Sequence, residues 1–403
     1  MGVNCSKLAY LEPPEGHDGT AMKQSEGRIF TTHTGSLPRP DGLVELLAVV
    51  AHGEPVDEPA LEQLTDASTL EVIRKQAKAG VDIINSGEQS RVSFSTYVVQ
   101  RMSGFGGSWT RRGHKDQNEF PGIARPRVVQ LMRDVPQCTG PLEYQRPDLA
   151  ERELAGLVNG ANEACASYQD LFMSAASPGI IALTLGNAHY ANHQEYVMAL
   201  AEEMRKEYEL ITAAGVVLQL DCPDLAMERH VAYQDEPIKV FQEVVELHIK
   251  AINHAIRNIP REQVRLHVCW GNTEGPHHYD VPLEDILPLV YEANVGALVM
   301  EMANPRHAHE YKVYQRHPLP EHMLLVAGVI DTKTNYVEHP EVVADRLRLA
   351  VDAAGGDPRR IMAGTDCGFD TSAGSNRVDK DIVWLKLAAM REGADIVSRF
   401  YSW

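Results

Sequence analysis

The chain has 403 residues, of which 44% are hydrophobic and 23% charged, a balance typical of a globular protein with enough apolar material for a large core. Acidic residues outnumber basic residues by 56 to 38, and a net charge of −18 argues against a general nucleic-acid-binding protein. No apolar run is long enough to span a bilayer. The sequence therefore predicts that neither nucleic acid nor a membrane is a partner.

The six cysteines are too sparse for a disulfide scaffold. They favour a reducing compartment, and we expect the protein in the cytoplasm. The start of the chain lacks the apolar segment of a signal peptide.

Short β-rich or apolar runs alternate with helical patterns along most of the chain. Residues 1–27 are polar and contain adjacent prolines, and we interpret them as a tail or arm. Strands are predicted to begin near residues 28, 81, 179, 216, 264, 297, 323 and 360. Helical patterns are found at 41–50, 59–78, 148–176, 195–214, 237–258, 283–293, 340–354 and 378–393. Residues 86–135 are less regular, and a long connection within a compact domain is usually functional. Small extra strands are predicted at 128–134 and 142–144.

Eight strands separated mostly by helices predict a (β/α)8 TIM barrel. We expect one such domain over residues 28–403, with an N-terminal arm and an extended insertion after the second strand. A doubly wound sheet is the alternative, but no glycine-rich nucleotide fingerprint follows the first strand. The active site of a TIM barrel lies at the C-terminal ends of its strands, so chemically capable side chains at those ends are candidates.

The fifth predicted strand carries the most informative pair of residues. In V-R-L-H-V-C-W-G-N, His267 and Cys269 are two positions apart and point to the same side of a strand. Glu301 ends the sixth strand and Cys367 follows the eighth. One imidazole, two thiolates and one carboxylate suit a tetrahedral zinc ion. Two thiolates make the centre electron-rich, which favours activation of a substrate thiol over hydrolysis. Alternatively, the pair is ordinary buried core, or the zinc only stabilises the fold.

Several motifs, in order along the chain, carry a more specific resemblance. They are Thr34-Gly35-Ser36-x-Pro38-Arg39, Gly87-Glu88, Leu220-Asp221-x-Pro223, His267-x-Cys269, Glu301 and Asp366-Cys367-Gly368. On these residues the chain resembles the cobalamin-independent methionine synthase family, and in particular its C-terminal catalytic barrel.

This resemblance implies an enzyme in which a zinc-bound thiol attacks an alkyl donor. It implies that His267, Cys269, Glu301 and Cys367 bind Zn²⁺. It also implies that Ser36, Glu88 and Asp221 hold the thiol, the two acids taking the ammonium group if the thiol is homocysteine. Arg39 is a further substrate-binding candidate, because a guanidinium binds a carboxylate or sulfonate in bidentate fashion.

The chain departs from the family at positions that concern the alkyl donor. The family's full-length synthase has a second, N-terminal barrel, for which 403 residues leave no room. Lys333, after Asp331, stands where the family has an acid histidine, and no folate-stacking tryptophan is found near Asn187. Our hypothesis is that Lys333, kept charged by Asp331, stabilises the leaving group.

The leading functional prediction is zinc-dependent transfer of a methyl or other alkyl group to a thiol. The implied donor is a reduced folate of the 5-methyltetrahydrofolate type, and the implied acceptor is homocysteine or a similar thiol. An epoxide-opening thiol alkyltransferase of the coenzyme M transferase type is the alternative. A non-catalytic zinc-binding sensor is the alternative of another class. The sequence leaves the donor, the thiol and a homo-oligomeric state open. Weaker candidates for substrate contact follow the fifth and sixth strands: His277, His278, Arg306, His307 and His309.

Overall fold

The computed structural model describes residues 21–120, 122, 134–164, 166–375 and 377–401. Within these residues the strands are β1 (Phe30–Thr31), β2 (Ile83–Ile84), β3 (Met102–Thr110), β4 (Asp134–Tyr144), β5 (Asp170–Ala176), β6 (Val217–Asp221), β7 (Val264–Val268), β8 (Ala297–Glu301), β9 (Leu324–Ile330) and β10 (Ile361–Thr365).

Eight of these strands form one parallel sheet, in the order β1-β10-β9-β8-β7-β6-β5-β2. Its two edge strands meet, because the Asp82 N–H donates to the Thr31 carbonyl at 3.0 Å and the Thr32 hydroxyl donates to the Ile83 carbonyl at 3.0 Å. The sheet is thereby nearly closed. The predicted TIM barrel is confirmed.

Helices cover the outside of the barrel. They span Asp41–Ala51, Glu58–Lys78, Pro147–Glu163, Pro178–Thr184, His193–Ala213, Ile238–Ala255, Leu283–Val290, Pro340–Ala353 and Lys380–Phe400. In the helix Ile238–Ala255, Phe241, Val245, Ile249 and Ile252 are buried at helical spacing and form its core-facing stripe. No helix in the described part of the chain is both long enough and apolar enough to cross a membrane.

The sequence prediction was wrong for the third barrel strand. Asp170–Ala176, predicted to be helical, forms β5, and Pro178–Thr184, predicted to be a strand, forms a helix. The Ser177 hydroxyl accepts the Ile180 N–H at 3.0 Å and Pro178 occupies the first turn, which together start a helix there. Both segments are buried throughout, and periodicity cannot distinguish a strand from a helix in such a continuous apolar run.

The insertion between β2 and β5 contains the antiparallel pair β3–β4 and a short helix, Lys115–Glu119. The Cys138 N–H of β4 donates to the Gly186 carbonyl at 2.7 Å and so attaches this hairpin to the loop after the third barrel strand. Of the predicted small strands, residues 128–133 lie outside the described residues, whereas 142–144 is the end of the longer β4.

Residues 22–25 lie against the N-terminal ends of the barrel strands. The Lys23 N–H donates to Asp170 at the start of β5 at 2.9 Å, and the Ser25 hydroxyl donates to the Ile361 carbonyl at the start of β10 at 2.5 Å. This part of the predicted arm therefore packs at the end of the barrel opposite the candidate site. Residues 1–20 of the predicted arm lie outside the described residues.

Candidate metal centre and substrate cavity

Three predicted metal-binding residues converge at the C-terminal rim of the barrel. His267 lies in β7, Cys269 directly follows β7, and Cys367 follows β10. Their ligand atoms all lie within 4.8 Å of one another, and all three side chains are buried. The two sulfurs are 3.6 Å apart, and both cysteines are free thiols. Their assignment as zinc ligands stays a prediction.

The two cysteines are joined by a hydrogen bond from the Cys269 thiol to the Cys367 sulfur. The hydrogen bond between the sulfurs, together with burial, raises the pKa of Cys269 well above its usual value. The same hydrogen bond lowers the pKa of Cys367. The Gly271 N–H also donates to the Cys269 sulfur at 3.2 Å. One imidazole and two neighbouring sulfurs, whose protons a metal ion can displace, fit the donor chemistry of zinc.

Asp221 orients the imidazole of this cluster. Its Oδ1 lies 3.1 Å from Nδ1 of His267, and because a carboxylate accepts, Nδ1 carries the proton. Nε2 faces the Asp366 carbonyl at 3.3 Å and so also carries a proton, which a metal ion would displace. Burial disfavours the imidazolium, but the hydrogen bond and charge of Asp221 outweigh it and raise the pKa of His267 to about 9.

Glu301 lies beside this cluster but is not part of it. Its Oε1 accepts the Trp270 N–H at 3.0 Å, and its Oε2 accepts from the Asn304 amide at 3.2 Å. Burial opposes the charge on Glu301, but Lys333 and His307 outweigh burial and lower the pKa of the carboxyl group. Glu301 is therefore an ionised carboxylate, and its role as the fourth ligand stays a prediction.

A cavity of about 140 Å³ connects the metal cluster to predicted substrate-binding residues. Its wall includes Ser36, Glu88 and Asp221 as well as the three members of the metal cluster. The sequence therefore indicated two groups of residues that the fold brings to one cavity.

Glu88 presents an unsatisfied oxygen at this cavity. Its Oε1 accepts from the Ser174 hydroxyl at 2.7 Å, whereas its Oε2 is buried without a hydrogen-bond partner among the described residues. Burial raises the pKa of Glu88 to about 7, against the opposing effect of Arg91. The residue has a φ of 56°, in the left-handed region, and such strain is often found at functional sites. A cationic group in the cavity would satisfy this carboxylate.

The remaining predicted site residues do not line the cavity. Arg39 is fully buried, pairs with Asp370 at 2.9 Å and donates to the Glu88 carbonyl at 2.6 Å. Its guanidinium thus supports the backbone of Glu88, and the structure does not place it against a substrate. Lys333 Nζ lies 3.6 Å from Asp331 Oδ1 and is buried. The catalytic roles predicted for Asp331 and Lys333 remain untested.

The cavity wall also contains residues that sequence reasoning did not select. Arg111 and His114 come from the insertion, Met227 follows β6, and Arg377 follows β10. None belongs to a recognisable motif, and the length of the insertion was the only signal for the first two. Among the weaker candidates, His277 and His307 are buried beside the cavity, whereas His278 is exposed and contacts Glu119 at 3.0 Å.

The sequence profile of the family described as "Cobalamin-independent synthase, Catalytic domain" matches residues 180–395. The match covers more than half of the chain and includes β7, β8 and β10, which position the metal cluster and Glu301. The chain belongs to this family, as its motifs indicated.

Similar proteins include the methionine synthase of Thermococcus kodakarensis, which is 26% identical over 92% of this chain and 93% of its own length. The methionine synthase of Saccharolobus solfataricus is 26% identical over 91% of this chain and 94% of its own length. A solved B12-independent methionine synthase from Shewanella sp. W3-18-1, in complex with selenomethionine, superimposes with a TM-score of 0.69 at 21% identity. That likeness covers 93% of this chain and 99% of the Shewanella chain and concerns the fold alone.

Proposed function

We propose that the chain is a zinc-dependent enzyme that transfers a methyl group from an alkyl donor to the sulfur of a thiol, with homocysteine as the thiol. The observation that carries the proposal is the shared cavity, in which the His267, Cys269 and Cys367 cluster faces the unpartnered carboxylate oxygen of Glu88. The names of the methionine synthase relatives and membership of the family support the same reaction.

Three residues would hold zinc in the reacting enzyme, with Glu301 as the fourth. When bound, zinc lowers the pKa of a substrate thiol and leaves its sulfur nucleophilic. With zinc bound, Asp221 would hold the Nδ1 proton of His267 and leave Nε2 for the metal, while Gly271 donates to the Cys269 sulfur and moderates its charge.

The acids and Ser36 would orient homocysteine. Its ammonium group would pair with the unpartnered Oε2 of Glu88, and Asp221 belongs to the wall of the same cavity. Charge complementarity of this kind fixes the substrate before reaction, which raises the effective concentration of the sulfur at the alkyl carbon. Attack then forms a carbon–sulfur bond, while the bond to the donor atom breaks and that atom leaves with the electron pair.

A reduced folate is the proposed methyl donor, because the chain belongs to the cobalamin-independent synthase family.

A second candidate reaction, epoxide opening by a thiol that carries a sulfonate, is favoured by one observation. Arg377 lines the cavity, and its guanidinium donates to the Asn272 carbonyl and pairs with no carboxylate of the described residues. A free cation there suits an anionic thiol tail.

Zinc quantitation followed by turnover screening tests both reactions. Homocysteine and coenzyme M are each paired with 5-methyltetrahydrofolate and with a small epoxide. We expect about one zinc per chain and methyl transfer to homocysteine. Turnover only with coenzyme M and an epoxide would establish the second candidate. Full activity after exhaustive chelation and metal analysis would contradict zinc dependence.

A further inference from the structure

Three buried histidines surround the carboxylate of Asp280 beside the cavity. His230 Nδ1 lies 3.0 Å from Oδ1 of Asp280, while His277 Nδ1 and His307 Nε2 each lie 2.8 Å from Oδ2. We name these four residues the Asp280 cluster. None of them is a predicted metal ligand, and only His277 and His307 were candidates, the weaker ones, for substrate contact.

The hydrogen-bond partners determine where the protons of this cluster reside. His277 Nε2 faces the Thr273 carbonyl at 2.8 Å, and a carbonyl only accepts, so both nitrogens of His277 carry protons. His307 Nδ1 faces Glu310 at 2.8 Å, so His307 likewise lies between two carboxylates. Burial opposes these charges, but the hydrogen bonds that the rings donate to Asp280 and to their other acceptors raise the pKa of His277 and raise that of His307 to about 9. The two imidazolium ions then balance the carboxylates of Asp280 and Glu310.

The ring of His230 connects Asp280 to His114. Nδ1 of His230 lies 3.0 Å from the Asp280 carboxylate, and the charge of that carboxylate favours a proton on this nitrogen. Nε2 is then an acceptor, and it lies 3.1 Å from Nδ1 of His114. The proton of His114 is therefore on Nδ1, and the lone pair is on Nε2. Among the described residues, Nε2 of His114 has no hydrogen-bond partner.

His114 is close to the reacting centre. The residue lines the same cavity as Cys269 and Cys367. A side chain on Gly271 would bring its Cβ within 3.7 Å of Cε1 of His114, and the Gly271 N–H is itself bonded to the Cys269 sulfur. The ring of His114 thus borders the cavity in which the substrate sulfur would be held.

We propose that His114 is the proton shuttle of the reaction, with His230 and Asp280 as the residues that position it. The inference rests on the proposed function. On thiol binding, the S–H bond breaks and its proton forms an N–H bond at Nε2 of His114. After the sulfur attacks the alkyl carbon, the leaving atom of the donor takes this proton. Thiol and donor become thioether and protonated leaving group, and His114 returns to its neutral form.

The charges around His114 suit this cycle. Burial, with His230 and Arg111, holds the pKa of His114 well below its usual value, so the ring begins as a base. His277 also opposes the charged ring, whereas Asp280 favours it. The negative charge of an arriving thiolate favours it further, so the proton is held only while the sulfur is in place. Lys333 is less suited to the task, since its ammonium faces Glu301 and does not line the cavity.

A metal ion is the competing explanation for part of this arrangement. Ligand atoms of His114, Asp116 and His230 lie within 4.8 Å of one another. The Asp116 carboxylate, however, already accepts the N–H groups of Gln117 at 2.7 Å and His277 at 3.0 Å. Hydrogen bonds alone therefore account for the positions of all three side chains.

The test measures protons released when homocysteine binds to the zinc-loaded protein, by calorimetry in buffers of different ionisation enthalpy. We expect His114→Gln to release about one more proton per homocysteine than the wild-type protein, since the shuttle no longer retains it. Turnover should fall by about a hundredfold. His254→Gln is the matched control, because this histidine pairs with Glu202 on the outer helix. His230→Gln should shift the pH profile of kcat while zinc content stays normal.

Three outcomes would contradict His114 as the proton shuttle. Unchanged proton release in His114→Gln, repeated with His114→Asn and with zinc content verified, would contradict the shuttle. A second zinc in the wild-type protein that His230→Gln loses would replace the shuttle with a metal site. Absence of homocysteine binding by the wild-type protein would overturn the proposed function itself, and so it is distinguishable from failure of the shuttle alone.

Discussion

The ammonium nitrogen of Lys333 lies 3.7 Å from Oε2 of Glu301, and both side chains are almost fully buried. A buried carboxylate of this kind is stabilised by its cation, and removing one partner leaves an uncompensated charge. Lys333 therefore stabilises the charge of Glu301, the proposed fourth metal ligand.

Replacing Lys333 by methionine distinguishes a role in stabilising Glu301 from a role in stabilising the leaving group. Without the cation, Glu301 becomes more basic and competes better for the metal, so we expect Lys333→Met to weaken homocysteine binding by about tenfold or more. Isothermal titration with zinc-loaded protein measures this, and the exposed Lys312→Met serves as the control. A turnover loss of about a hundredfold with unchanged zinc content and thiol binding would instead support the leaving-group role predicted from the sequence.

The cysteine pair should determine metal content. We expect Cys269→Ser and Cys367→Ser each to lose most of the bound zinc, because thiolates dominate the affinity. Cys138→Ser is the matched control, since Cys138 is also a buried free thiol but lies in β4 away from the cluster. Metal analysis after dialysis provides the readout. Retention of stoichiometric zinc in both cluster variants would remove these residues from the metal centre.

We expect Glu301, unlike Cys269 and Cys367, to leave the metal when the substrate sulfur binds. If the substrate sulfur displaces its carboxylate, Glu301→Gln keeps much of the zinc but alters thiol binding. X-ray absorption of the wild-type protein should then show one additional sulfur neighbour of zinc upon addition of homocysteine. An unchanged sulfur count in an active preparation would contradict displacement.

Glu88 should discriminate amino thiols from other thiols, with a dependence on pH. Its pKa, raised by burial to about 7, means that the carboxylate is lost as the pH falls through 7. We expect homocysteine affinity to fall in that range and Glu88→Gln to lose about tenfold or more at pH 8. A homocysteine analogue without the amino group is the control. Equal losses for both thiols would exclude the ammonium contact.

The raised pKa of Glu88 also affects the stability of the substrate-free protein. This effect depends on pH in the opposite sense to homocysteine affinity. A carboxyl group whose pKa is higher in the folded than in the unfolded state binds more protons when folded, so it costs stability as the pH rises from about 4.5 to 7. Glu88→Gln should therefore raise the Tm of the substrate-free protein at pH 8. Calorimetric scans at pH 5 and pH 8 check this, and a larger effect at pH 5 would contradict it.

The sequence predicted the chemically capable residues at the strand ends better than it predicted the fully buried strands. His267, Cys269 and Cys367 could be found because strand periodicity places them at one rim and because their types suit a single chemistry. The strand Asp170–Ala176 was missed because burial on all sides removes the periodic signal.

The hydrogen-bond and ion-pair partners of the site residues were harder to predict from the sequence. His114 and Asp280 are far apart in the chain, and only the fold connects them through His230, which hydrogen-bonds to His114 and contacts the Asp280 carboxylate at 3.0 Å. Arg39 was assigned to substrate on its chemistry, yet a guanidinium satisfies the Asp370 carboxylate equally well in the interior. Such choices depend on distances that no local pattern encodes.

The insertion contributes Arg111 and His114 to the cavity, whereas the metal cluster belongs to the segment 264–367. The wall that would face an incoming donor and the centre that would hold the thiol are thus encoded in separate stretches of the chain. Mutations in the insertion outside residues 111–114 can alter this wall without altering the strands that carry the metal cluster. A lineage built on this architecture could then exchange one alkyl donor for another while its metal-binding strands and His114 stay the same.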